Sequence, residues 1–286
     1  LGLNEVLTQI FLSEKEAQNY LSQDKEIIKL LDPLSNLKDS LRSALIPSLL
    51  KVYDYNKTHN INDISIFEIG KCFYKVGDNY LEENKLCILA AGNYYYEVGN
   101  NKKVDFYIVK GMLEELMHYL GFYNRYTLKT ENIPSYLNPY QSAIINLNGK
   151  DIGILGKIHP NINKDDIYVV EISLDLLLAN RVSKLKYREL NKYPSIVKDM
   201  AFIVDNDITS SEMIKTIKAS GGKLLTKINI FDVYVGEKID KGKKSIAFSL
   251  TFEDYKKTLT DEEVSIIFNK IINDITNKYK AILRNN

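Results

Sequence analysis

From Lys244 to Phe252 the sequence alternates without interruption. Ile246, Phe248, Leu250 and Phe252 fall on one face, and Ser245, Ala247, Ser249 and Thr251 on the other. A period of two fits a half-buried strand and no helix. The flanking segments are equally restrictive. Thr209-Ser-Ser-Glu212 and Thr260-Asp-Glu-Glu263 are capping boxes, in which the Thr hydroxyl and the Glu carboxylate satisfy each other's orphan amides. Ile208 with Met213, and Leu259 with Val264, are placed as hydrophobic staples. The first helix buries Ile214 and Ile217 and stops at Gly221-Gly222. The second carries Val264, Ile267, Phe268, Ile271, Ile272, Ile275 and Tyr279 at helical spacing. Val197–Val204, Leu224–Val235 and Ala281–Leu283 read as further strands. The order β-α-β-β-α-β predicts a ferredoxin-like sheet with both helices on one face and the other face open.

The sequence before this region mixes helix and strand. Ser13–Leu31 reads as helix in two pieces, and Pro47 opens another helix with Leu49, Leu50 and Tyr53 on its apolar side. Ser65–Tyr74 and Leu86–Gly92 read as strands. Asp105–Val109 leads into a helix over Gly111–Leu120 that Gly121 closes. Ala143–Leu147, Asn148-Gly149 and Ile152–Ile158 form a hairpin on a type I′ turn. Ile167–Leu174 follows as a strand and Asp175–Ala179 as a short helix. Hairpin-linked strands with interspersed helices predict an α+β domain on a mainly antiparallel sheet. Pro194 marks a change of character, so two domains are expected, 1–190 and 191–286.

Composition narrows the function. With 45% apolar and 26% charged residues the chain is ordinary globular protein. It has no apolar run long enough for a membrane span and no signal peptide. Cys72 and Cys87 alone make neither a disulfide scaffold nor a structural zinc site. A cytoplasmic protein is expected. The chain begins without Met, as a piece of a longer polypeptide would. Net charge is +1, unevenly spread: −5 over 1–180, +4 over 181–194 and +2 over 195–286. The strip 181–192 is therefore either a solvated linker or a phosphate-facing surface.

Enzymatic signatures are missing. No His-Glu-x-x-His, Gly-x-Gly-x-x-Gly or Gly-x-Ser-x-Gly occurs, and His59, His118 and His159 are scattered. Asp165-Asp166 and Glu262-Glu263 are sequence neighbours that point apart, and Glu114-Glu115 reads as the solvated face of a helix. Gly236 to Ser245 departs from phosphate-loop spacing and opens a strand, whereas such a loop must open a helix.

Several ordered strings are specific. Phe231-Asp-Val-Tyr-Val-Gly236, Gly242–Phe252, Thr258-Leu-Thr-Asp-Glu-Glu-Val264 and Pro194–Asp205 resemble the ferredoxin-fold anticodon-binding domain of the bacterial phenylalanyl-tRNA synthetase β subunit. Asp32-Pro-Leu-Ser35, Leu41–Leu50, Phe67-Glu-Ile-Gly70, Gly153-Ile-Leu-Gly156 and His159-Pro160 resemble the catalytic-like module of that subunit. The resemblance spans essentially the whole chain. It implies a class II synthetase-like antiparallel sheet domain followed by a ferredoxin-like domain, as a C-terminal fragment. It also implies an (αβ)2 ligase that charges tRNA(Phe) using ATP and Mg2+, with the active site in the α subunit. No catalytic residue and no bound cofactor or metal are then expected in this fragment, and no membrane partner.

The sequence itself argues against catalysis here. A working class II motif 2 carries Phe-Arg-x-Glu after its strand, the Arg gripping the ATP α-phosphate and the Glu the adenine amine. Tyr74 and Val76 stand at those positions, and neither can do that work. The Pro47 helix resembles motif 1, which implies that Pro47, Leu49, Leu50 and Tyr53 contact the α subunit, unless they belong to the domain's own core. In the ferredoxin-like domain, Ser245, Ala247 and Ser249 on the open face would let a base approach and Tyr234 would stack on one. Lys198, Lys243 and Lys244 would meet phosphates, and Asp199 and Asp232 would accept from base amines. The rival reading is a structural or interaction protein of the same architecture without a tRNA role. A stand-alone class II-like ligase would need a phosphate-gripping Arg that is not found.

Overall fold

Asn148 and Gly149 have φ of +52° and +86°, the pair of positive values that a type I′ hairpin turn requires. The strands they join run longer than the sequence pattern predicts, over Leu137–Leu147 and Lys150–Ile158. The computed structural model describes residues 1–286 apart from 23, 34, 98, 99, 124, 181, 183–189, 237, 238, 285 and 286, and at 95–97 and 100 it describes the backbone alone. Most of the basic strip 181–192 therefore lies outside the described residues. The chain divides into two compact units, residues 1–185 and 186–286.

In the first unit the strands are β1 (Asn4–Glu5), β2 (Phe11–Leu12), β3 (Ser40–Leu41), β4 (Ile64–Val76), β5 (Asn79–Ala91), β6 (Asn93–Glu97), β7 (Asn100–Lys103), β8 (Tyr126–Lys129), β9 (Leu137–Leu147), β10 (Lys150–Ile158) and β11 (Ile167–Ser173). The helices are α1 (Glu14–Asn19), α2 (Ile46–Thr58), α3 (Phe106–Tyr119) and α4 (Leu174–Leu178). Seven strands form one sheet in the order β1-β4-β5-β11-β10-β9-β8, and only the β1–β4 pair is parallel. All seven residues of β11 are buried, because the sheet is covered on both faces. On one face α2 sets Leu45, Ile46, Leu49, Leu50 and Tyr53 against Cys87, Leu89, Val169 and Ile154. On the other, α3 sets Val109, Met112, Leu113 and Met117 against Ile88, Val170, Ile145 and Leu155.

Two local expectations change. Only Glu14–Asn19 of the predicted Ser13–Leu31 helix forms, its start fixed by the Ser13 amide donating to Glu16 Oε2 at 3.0 Å. Beyond it, Glu26 exchanges backbone hydrogen bonds with Lys75 at the end of β4, so tertiary pairing overrides helix propensity. The Asp105 segment is not a separate lead-in. Its side chain accepts the Ile108 amide and starts α3 at Phe106.

The second unit comprises β12 (Ile196–Asp205), α5 (Ser210–Gly221), β13 (Leu225–Tyr234), β14 (Lys243–Phe252), α6 (Asp261–Tyr279) and β15 (Ile282–Leu283). Both capping boxes form, with Thr209 accepting from the Glu212 amide and Thr260 from that of Glu263. The antiparallel sheet order β13-β14-β12-β15 places the first and third strands side by side in the centre, as the ferredoxin-like arrangement requires. Met213, Ile217, Val264, Ile271 and Ile275 cover Phe202, Phe248, Leu250 and Phe252 on one face.

Candidate functional site

The opposite face of that sheet is defined by register. Tyr234, Ser245 and Ile203 form one row across β13, β14 and β12. Asp232, Ala247 and Ala201 form the next, and Asn229, Ser249 and Asp199 the third. The sequence reading thus places Tyr234, Asp232, Asp199, Ser245, Ala247 and Ser249 on one face, and the structure brings them together. Asp199 and Asp232 are exposed and Tyr234 is half-buried. A Cβ at residue 236 would stand 2.5 Å from the Tyr234 hydroxyl, so the phenol lies over Gly236. Lys243 joins this face at its end, opposite Asp205, with its ammonium 3.9 Å from Asp240.

Four expectations about this face need correction. Ser245 and Ala247 are 2% and 6% exposed, not open. They lie on a central strand, Ser245 between Tyr234 and Ile203 and Ala247 between Asp232 and Ala201, so a ligand on this face meets Tyr234, Asp232 and Ile203 first. Lys198 is opposite Leu250 on the helix-covered face, and its ammonium donates to Asp261 in the first turn of α6 at 2.8 Å. Lys244 faces the same way, opposite Val204, and donates to the Asn206 carbonyl at 2.9 Å. Each lysine is one residue out of phase with the face it was expected to serve. Asn229 escaped the sequence reading, because a bulge between Ile230 and Asp232 resets the alternation along β13; Ile203 lies on β12, where the alternation is unbroken. Only the pairing with β14 reveals Asn229.

In the first unit, Pro47, Leu49, Leu50 and Tyr53 are buried, and Leu49, Leu50 and Tyr53 pack into the α2-side core. This corrects their assignment to a subunit interface: side chains consumed in their own domain's core present no surface to a partner. The resembling strings around them instead hold a buried network. Arg42 Nη1 donates to Glu68 Oε1 at 2.7 Å and Arg42 Nε to the Lys71 carbonyl at 2.8 Å. Thr8 donates its hydroxyl to Glu68 Oε2 at 2.6 Å. A Cβ at Gly70 would stand 2.2 Å from Arg42 Nη2, so the Glu-Ile-Gly spacing leaves room for the guanidinium.

Tyr74 and Val76 end β4 at the tight Gly77-Asp78 turn into β5. Tyr74 carries the Lys25 ammonium 3.6 Å above its ring centroid. On the α2 face of the sheet lies a cavity of about 340 Å³ whose charged lining is Lys25, Glu83, Lys85, Asp151 and Glu171, beside polar and apolar residues. Among the described residues no Arg lines it. Glu171 Oε1 accepts from the Leu45 and Ile46 amides at 2.7 and 3.2 Å, and its Oε2 accepts from Lys85 at 3.1 Å. Burial is the largest single influence and works against the Lys85 charge, but Glu171, Cys72 and Glu83 together outweigh it and hold the ammonium above the usual lysine range. Burial pushes the Cys72 thiol up to about 12, and Cys87 is raised as well, so neither is a nucleophile at neutral pH. Among the described residues no three His, Cys, Asp or Glu side chains are grouped to hold a metal. None of their helices is long and apolar enough to cross a membrane.

Comparison with known proteins agrees with this geometry. Residues 1–174 match the family model described as "Phenylalanyl tRNA synthetase beta chain CLM domain", and residues 191–284 the "Ferredoxin-fold anticodon binding domain". The phenylalanine–tRNA ligase beta subunit of Shouchella clausii is 34% identical over 99% of this chain. Those of Listeria monocytogenes and Bacillus subtilis are 34% and 33% identical over the same share. The chain spans 36% of the length of each of these relatives. A solved pyrrolysyl tRNA synthetase from Desulfitobacterium hafniense is 18% identical, with a TM-score of 0.46 over 62% of each chain, too distant to bear on function. With two family models and relatives matched over 99% of this chain in agreement, the chain belongs to the phenylalanine–tRNA ligase beta subunit family.

Proposed function

We propose that this chain is a non-catalytic portion of a phenylalanine–tRNA ligase. It assembles with an α subunit in an (αβ)2 enzyme and binds tRNA(Phe) through its second unit. Residues 1–190 serve as the catalytic-like module and 191–286 as the anticodon-binding domain. The whole enzyme consumes ATP with Mg2+ in the cytoplasm, and the chemistry belongs to the α subunit. The observation that carries the tRNA reading is the helix-free sheet face, where Tyr234 and the exposed Asp232 and Asp199 stand on adjoining rows. The ring offers a stacking surface, the carboxylates accept from base amines, and Lys243 at the end of the face supplies a phosphate contact. For the subunit contact, the first unit exposes apolar side chains elsewhere: Leu31 and Leu37 are 98% and 74% exposed.

The test is tRNA(Phe) binding by Tyr234→Ala, Lys243→Met and Lys198→Met. Loss of a stacked base weakens binding by about 1–3 kcal/mol, roughly 5- to 150-fold. Lys243→Met reduces the salt dependence by about one phosphate contact. Lys198→Met, whose ammonium is engaged by Asp261, leaves affinity and salt slope unchanged. Unaltered affinity in Tyr234→Ala, or a strong effect of Lys198→Met, would defeat the assignment of this face.

A further inference from the structure

The cavity on the α2 face of the large sheet is not used by tRNA binding or by the subunit contact proposed above. Its volume of about 340 Å³ falls within the range of small-molecule sites. Ile144, Ile154, Tyr136 and Leu176 give it an apolar side. Of its five charged side chains, Asp151 is paired with Lys129 at 2.9 Å, outside the lining, and the other four divide into two kinds. Glu171 and Lys85 are committed to each other, and Glu171 also holds the two amides at the start of α2.

Glu83 and Lys25 are less tightly held, although the Glu83 carboxylate also accepts from the Tyr74 hydroxyl. The Glu83 carboxylate stands 3.9 Å from both the Lys25 and the Lys85 ammonium, beyond hydrogen-bond distance. The Lys25 ammonium has this long contact and the Tyr74 ring face. The Glu83 and Lys25 side chains are only 12% and 25% exposed, so water screens them weakly. Burial also lowers the Lys25 pKa, a sign that its charge would gain from a closer anion.

With Asp151 neutralised by Lys129, the remaining charges balance, two positive and two negative. A ligand with net charge would leave the site unbalanced, whereas a zwitterion preserves neutrality. Because Glu83 and Lys25 are adjacent, the ligand's ammonium and carboxylate must also be adjacent, as on one α-carbon. We propose that this cavity binds a free α-amino acid with an apolar side chain. Its ammonium donates to Glu83, its carboxylate accepts from Lys25, and its side chain lies against Ile144, Ile154 and Leu176. The inference does not depend on the tRNA reading.

Calorimetric titration of the 286-residue chain, without an α subunit, tests it. The probes are L-leucine, L-phenylalanine and glycine, with isocaproate and isoamylamine as leucine analogues lacking the ammonium or the carboxylate. Leucine or phenylalanine is expected to saturate with a Kd of about 1 mM or below. Glycine and both analogues bind at least ~10-fold more weakly, as do the Lys25→Met and Glu83→Gln variants when melting is unchanged. Absence of saturation by either apolar amino acid up to ~10 mM overturns the proposal. So does equal binding of either analogue, a result that stands even if a variant fails to fold.

Discussion

Glu171→Gln is expected to destabilise the first unit by about 3–5 kcal/mol, the usual cost of removing one partner from a buried ion pair. The site explains why the cost should fall there. Helix α2 has Leu45 at its N-cap and no side-chain cap of its own. Glu171, distant in sequence, accepts from the Leu45 and Ile46 amides in its place and adds a negative charge at the positive end of the helix. Gln can still accept from those amides through its carbonyl oxygen. Its amide nitrogen then faces the Lys85 ammonium, donor against donor, and Lys85 has only the Ser43 carbonyl at 3.2 Å and the distant Glu83 in exchange. Lys85→Met should cost less, because Glu171 retains its helix amides. The double variant should recover at least ~1 kcal/mol relative to the sum of the singles, since it removes the stranded charge. The chain contains no Trp and 20 Tyr, so urea unfolding is best followed by far-UV circular dichroism and tyrosine fluorescence together. Two transitions are to be fitted if the probes do not coincide. A cost below ~1 kcal/mol for Glu171→Gln, or strict additivity in the cycle, would show that this carboxylate does not hold α2 to the sheet.

Gly70→Ala should lower stability by about 1–3 kcal/mol, because its Cβ would stand 2.2 Å from Arg42 Nη2 inside a buried network; urea midpoints check this. Asp166 accepts from Lys103 at 2.7 Å and from Lys157, and these partners lower its pKa. Its contribution to stability is therefore present above the unfolded carboxylate pKa and is lost as pH falls through the lower folded value. Acid unfolding curves of Asp166→Asn should accordingly converge with those of the parent at the acid end and separate from them toward neutral pH. Light scattering of this chain mixed with the α subunit from the same source should give a joint species. Separate elution of two folded proteins would place the assembly contacts outside these residues.

Local patterning made the second unit readable. Each capping box lies just ahead of an apolar helical stripe, and the alternation of β14 leaves one choice of buried face. Side-chain phase was harder. Lys198 and Lys244 sit beside the expected face in sequence, yet a single residue of phase directs them to the helix side, toward Asp261 and Asn206. On β13 the bulge at Phe231 breaks the alternation, so only the register with β14 places Asp232 and Tyr234 on the face shared with Ala247 and Ser245. Ser245 and Ala247 looked open because small residues on a polar face suggest access. Their burial comes from neighbours on other strands.

The sequence by itself determined the elements that depend on near neighbours: the Asn148-Gly149 turn, the capped helix starts, the period of β14 and the family strings. Those signals act within a few residues and survive in one dimension. Tertiary structure alone decided that the Pro47 helix spends its apolar side inside its own unit. It decided that Arg42 meets Glu68 across 26 residues and that Glu171 caps a helix more than 120 residues away. It also decided that Lys25 and Glu83 stand side by side in the wall of one cavity. Such pairings depend on which strands become neighbours, and charge–charge contacts leave no periodic trace in the chain that forms them.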